Sequence, residues 1–152
     1  MFYFTKRHYY KTQLQKIYAF ASIRDVQVFP RWCKSGYFHS NRTHCYIEIG
    51  TRNSFVNQIY ILLHELGHYE DFSNNRQIWL RDSDDITLFE LMGDNTISLK
   101  LRINREIRAW KNAKRIAKLL DIPINEHYYK VRREGMRSYF KKYVRVKEKF
   151  SV

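Results

Sequence analysis

Residues 44–50 read HCYIEIG and residues 54–72 read SFVNQIYILLHELGHYEDF, and the change of period between them decides the fold. In the first stretch Cys45, Ile47 and Ile49 alternate with His44, Tyr46 and Glu48, so the two sets project from opposite faces of a strand that Gly50 closes. In the second, Ile59, Leu62, Leu63 and Leu66 recur at three- and four-residue intervals, the spacing of a buried helical stripe. Asn53 or Ser54 is placed to cap that helix, its side-chain oxygen accepting an orphan backbone N–H of the first turn. A half-buried strand leading into a buried helix predicts an α+β domain, with a small, mostly antiparallel sheet packed on this helix and further helices C-terminal to it.

Working outward, Leu14, Ile17, Tyr18 and Ala21 predict a helix from Tyr9 to about Ile23, and Val26 to Phe29 reads as a strand that Pro30 ends. Between 31 and 42, Lys34-Ser35-Gly36 and Asn41-Arg42 read as turns around a short strand at Tyr37-Phe38. After the loop Ser73-Asn74-Asn75 a helix is expected from about Asp85 or Thr87, interrupted by Gly93-Asp94-Asn95. A strong helix follows over Ile103 to Leu120, with Ile107, Trp110, Ala113, Ile116, Ala117 and Leu120 on one face and Asp121-Ile122-Pro123 as its stop. No repeat, low-complexity tract or Pro/Gly/Ser-rich linker divides the chain. One domain is expected over 1–152, ending in a basic helical region at about 124–152.

Composition narrows the classes. Aromatic residues make up 16% of the chain, too many for a disordered polymer, and apolar runs such as Tyr60-Ile61-Leu62-Leu63 are far too short to span a bilayer. Met1-Phe2-Tyr3-Phe4 is followed at once by Lys6, Arg7 and His8, the reverse of a signal peptide. Cys33 and Cys45 lack Cys-x-x-Cys spacing, which excludes a four-cysteine zinc site and fits reduced thiols. A cytoplasmic protein without a membrane partner is expected. The formal charge of +13 is concentrated: residues 1–99 hold 11 Lys/Arg against 10 Asp/Glu, residues 100–152 hold 17 against 5.

Residues 64–68, His64-Glu65-Leu66-Gly67-His68, form an H-E-x-x-H. On a helix the two imidazoles project from one face about a turn apart and can share one Zn²⁺, which accepts neutral histidine nitrogen at about 2.0–2.1 Å. Glu65 is turned about 100° round the helix, where it reaches a metal-bound water as general base without competing for the ion. Zinc lowers the pKa of that water to about 7. Burying His64, Glu65 and His68 together without a metal would leave a costly charge.

A catalytic zinc takes a third protein ligand. The metzincin positions hold Asp71 and Asn74 and fail. Cys45, Glu90 and Asp94 are within reach by spacing, and Glu106 lies on the apolar face that Ala109, Trp110, Ala113 and Ala117 continue. An inward carboxylate needs a partner, which favours Glu106, with Glu90 second. Tyr69, His127, Tyr128 and Tyr129 are candidate oxyanion donors, and Tyr69 and Asp71 are candidates to orient the histidines.

The string HELGHY at 64–69, followed by EIRAWKNAKRIAKLLDIP at 106–123, resembles gluzincin-type zinc metallopeptidases, and is most similar to the small phage and bacterial ImmA/IrrE-like proteins. The resemblance covers about 43–122. It implies a zincin-like fold, His64, His68 and Glu106 as ligands, Glu65 as base, and the 44–49 strand as the edge on which an extended substrate pairs. It also implies a bacterial or phage-infected cytoplasm. The gap between His68 and Glu106 is longer than the compact gluzincin spacing, and an inserted helix between Asp82 and Asp94 would account for it.

From Lys130, basic residues interleave with Tyr139, Phe140 and Tyr143, as in surfaces that meet phosphate backbones. The leading expectation is a zinc metallopeptidase acting on a cytosolic protein or peptide. The alternative is a nucleic-acid-binding or regulatory protein that uses its basic third without sequence specificity and carries a structural or vestigial metal. A zinc hydrolase of non-peptide amides is the third reading.

Overall fold

The computed structural model describes residues 2–41 and 43–149, so Arg42 of the expected Asn41-Arg42 turn and the last three residues of the basic region lie outside the described residues. The elements run α1 (Phe2–Ile23), β1 (Gln27–Arg31), β2 (Gly36–Ser40), β3 (Cys45–Gly50), α2 (Phe55–Asn74), α3 (Arg76–Leu91), α4 (Asn95–Leu119) and α5 (Glu126–Lys149). Among the described residues, five helices and a three-stranded sheet make an α+β fold.

β3 carries the alternation expected of it. Ile47 and Ile49 are fully buried against the helices, whereas Tyr46 and Glu48 take the other face with Phe29 and His39. The strand order is β1-β3-β2, with β1 parallel and β2 antiparallel to β3. The sheet is therefore mixed where a mostly antiparallel one was expected, and β3 lies at its centre, not its edge. Tyr46 to Ile49 is paired on both sides, so the strand implied as the docking edge is not free to take another. The edge nearest the functional site is β2. Pro30 does not end β1: the pairing puts Arg31 toward β3 and Pro30 outward on an edge strand, where its missing N–H interrupts no ladder.

Ser54, of the two cap candidates, starts α2, its hydroxyl accepting from the Asn57 N–H. The α2 stripe of Ile59, Leu62, Leu63 and Leu66 meets Leu14, Ile17 and Ala21 of α1 on one side and Ala113, Ile116 and Ala117 of α4 on another. Two helix ends close the same way. Asp25 and Asp121 take left-handed backbone (φ 56° and 53°), and the following N–H groups of Val26 and Ile122 return to Ala21 and Ala117.

Three helices begin earlier than the sequence indicates, the first of them α1, which starts at Phe2 and not at Tyr9. α3 starts at Arg76 and not near Asp85, and α4 starts at Asn95, where Asp94 caps it through Thr96 and Ile97. Ile107, expected on the buried face of α4, is 42% exposed. α5 is capped by Asn125 and docks through Tyr128 and Met136, with the Lys and Arg side chains from Lys130 to Arg145 outward.

Candidate metal centre

α2 and α4 cross where both have almost no side chain. A β-carbon on Gly67 would overlap the Ala109 carbonyl oxygen, and the Asn112 amide donates to the Gly67 carbonyl at 3.1 Å. This close approach brings Glu106, three residues before Ala109, over the two imidazoles one turn apart on α2. Nε2 of His64 lies 3.1 Å from one Glu106 oxygen and Nε2 of His68 lies 3.3 Å from the other. One ligand atom from each residue falls within 4.8 Å of the others. Two atoms held at 2.0–2.1 Å by a tetrahedral ion lie about 3.3 Å apart, so both His–Glu separations fit a shared zinc.

The donor set also has the chemistry for it. All three side chains are about seven-eighths buried. Burial, which would raise the Glu106 carboxyl, is outweighed by hydrogen bonds from both imidazoles, and its pKa is held far below the usual range. Burial works against a charged His68, yet the Glu106 hydrogen bond and the nearby carboxylates raise its pKa. The centre thus gathers negative charge that only protons on the imidazoles or a cation can answer. His64 stacks on Trp110 with ring centroids 4.2 Å apart, and Phe38 and Trp79 flank His68, fixing both rings by packing. Nδ1 of each imidazole is buried without a partner, so Tyr69 and Asp71 do not orient them. The Tyr69 hydroxyl donates to Arg24 O, and Asp71 pairs with Arg108.

Glu65 stands beside this trio and outside it. It is 6% exposed; burial raises its pKa, opposed by both histidines, and its carboxylate accepts the Phe38 backbone N–H. β2 approaches this closely only because Gly36 lacks a side chain: a β-carbon there would sit 2.5 Å from Ile61 Cγ2 and 2.9 Å from Glu65 Cγ. His64, Glu65, His68 and Glu106 share a cleft of about 740 Å³ with β2 on one bank and α5 on the other.

The other ligand candidates lie elsewhere. Glu90 pairs with Arg102 at the surface, Asp94 is spent on the α4 cap, and Cys45 is a half-buried free thiol raised by burial. Tyr128 and His127 are also committed, the former donating to Trp110 O and the latter bonded to Asn57, and Tyr129 packs edge-on against Tyr128. The hydroxyl that does face the centre is Tyr139 of α5. Burial, the Glu106 charge and a hydrogen bond to Glu106 push its pKa up to about 12. Its sequence signal is faint: Tyr128, Met136, Tyr139 and Tyr143 form the apolar stripe of α5, but only the docking of that helix shows which of them meets Glu106.

Four partly buried ion pairs clamp the helices that carry these groups. Arg108 of α4 binds Asp71 of α2 at 2.8 Å and Asp82 of α3 at 3.1 Å, while Glu70 of α2 receives both Arg24 and Arg115. No family model, curated protein or solved structure matches the chain.

Proposed function

We propose that the protein is a zinc-dependent metallopeptidase with a zincin-like arrangement, of the gluzincin type and similar to ImmA/IrrE-like proteins. The observation that carries this reading is the meeting of Glu106 with His64 and His68 while Glu65, buried beside them, stays out of the ligand set. His64, His68 and Glu106 hold the ion, and three protein ligands leave a fourth position for water. Bound there, zinc supplies an acidified water and polarises a carbonyl.

The remaining work falls to the chain's own groups. Glu65 takes a proton from the attacking water, and its raised pKa suits it to keep that proton and return it to the departing amine. The Phe38 N–H fixes the carboxylate that does this. Tyr139 remains protonated at neutral pH and offers a hydroxyl to the oxygen on which charge develops. The outward backbone groups of β2 other than the Phe38 N–H accept an extended polypeptide by strand addition, which directs the substrate along the bank opposite α5.

The test is Glu65→Gln. Zinc stays bound at about one per chain and hydrolysis falls by about 10²–10⁴. A chain that takes up no zinc at neutral pH, or a variant with full activity, ends the reading. The exposed Lys and Arg side chains on α4, and those on α5 from Lys130 to Arg145, favour one other reading, in which nucleic acid is the main ligand and the metal is structural. That reading requires steeply salt-dependent binding to nonspecific DNA and no loss of function in Glu65→Gln.

A further inference from the structure

The cleft continues beyond the metal ligands. Between α4 and α5 it passes Arg102, Ser138 and Tyr139 into a second cavity of about 590 Å³, which shares those three residues with the first. Among the described residues five cations line this trough: Lys34 and Arg105 in the metal cleft, Arg102 in both parts, and Lys142 and Arg145 in the extension. Beyond the site's own carboxylates the acids along it are Glu90 and Glu134. Glu90 is the partner of Arg102, in a pair about 45% exposed on both sides that an incoming carboxylate exchanges at little cost. Arg105 lies over the Trp79 ring, donates to Trp79 O and Ser83 Oγ, and keeps a buried Nε without a partner. Planar guanidinium groups in a walled trough suit paired recognition of carboxylates.

We propose that this trough selects a polypeptide with a run of acidic side chains on one side of the scissile bond. The proposal rests on the metallopeptidase reading and names its substrate class. Such a segment enters the extension beside Arg102, Lys142 and Arg145 while the backbone to be cut lies between Glu65 and Tyr139.

Binding is read without turnover, using the full zinc-loaded chain carrying Glu65→Gln. Two fluorescein-labelled dodecapeptides, one with four consecutive Glu and one with four Gln in their place, are titrated by fluorescence polarisation at low ionic strength. The Glu peptide binds at least about tenfold tighter, a difference of about 1.4 kcal/mol. Arg102→Gln with Arg145→Gln removes the preference, and Arg145→Gln alone, an exposed change, lowers it in part. Lys111→Gln with Lys114→Gln, outside the trough, leaves it intact. Equal binding of the two peptides overturns the proposal, as does a preference that the trough variants leave in place or that the outside pair lowers as much. It is also overturned if the trough variants weaken only a single-stranded oligonucleotide. A Glu65-intact chain that cleaves both peptides equally well sinks the proposal and keeps the peptidase; one that cleaves neither yet prefers the Glu peptide sinks the peptidase and keeps the trough.

Discussion

Gly67 lies so close beneath the Ala109 carbonyl that no β-carbon fits between them, and this crossing sets the height of Glu106 above the histidines. Gly67→Ala pushes α4 away from α2 and is expected to cost about 2–4 kcal/mol of stability. Zinc affinity falls with it, because the carboxylate moves with the helix. Thermal unfolding of the metal-free chain and competition with a chelator check the two effects separately.

Glu106→Ala removes one ligand and leaves the helix pair packed. A structural zinc site gains about 10–16 kcal/mol from four ligands, so one is worth about 3 kcal/mol, roughly a hundredfold in affinity. Glu90→Gln, at the surface, leaves affinity unchanged. Equal zinc binding by wild type and Glu106→Ala removes Glu106 from the centre.

Affinity for zinc rises with pH. The ion takes neutral imidazole, and the raised pKa of His68 keeps a proton there to higher pH than usual, so each proton displaced adds about tenfold per pH unit below that pKa. The Glu106 carboxyl, held low, is already ionised and adds no such slope. Without metal the sign reverses. His68 and Glu65 both have raised pKa values, so their contribution to stability is present at low pH and lost as pH climbs through the folded values. Thermal melts from pH 6 to 9 are expected to fall for the chelated protein while calorimetric zinc affinity increases from pH 5 to 7.

Tyr139→Phe keeps the ring and removes the hydroxyl. Zinc content stays the same and kcat falls about 10²-fold, the scale of one lost oxyanion donor. Loss of zinc in this variant assigns the hydroxyl to holding Glu106.

Asp71→Asn leaves Arg108 paired with Asp82 alone, although Asp71 touches no ligand. About 2 kcal/mol of stability is lost. Zinc stoichiometry is unchanged, measured by metal analysis of the folded fraction.

What the sequence discloses follows from which interactions are local. The alternation in β3 and the four-residue spacing of His64 and His68 are properties of one strand and one helix, legible without tertiary knowledge. Glu106 is legible because its neighbours Ala109, Trp110 and Ala113 mark an inward face. Residues 76–84 are not: Trp79 is the one large apolar side chain buried there, and Asp82 is buried with Arg108 of another helix, so polar residues fill positions that a periodicity search expects to be apolar. Ile107 misleads for the same reason, since α4 turns Glu106 inward and leaves its neighbour to solvent. Strand order is further out of reach, because β1 pairs in parallel with β3 although β2 lies between them in the sequence.

The residues proposed as ligands and general base sit on α2 and α4, whereas α5 brings the Tyr139 hydroxyl and, a turn further on, Lys142 and Arg145 of the trough. Drift at Lys142 and Arg145 can redirect the protein toward new clients while Tyr139 and the α2–α4 pair stay untouched.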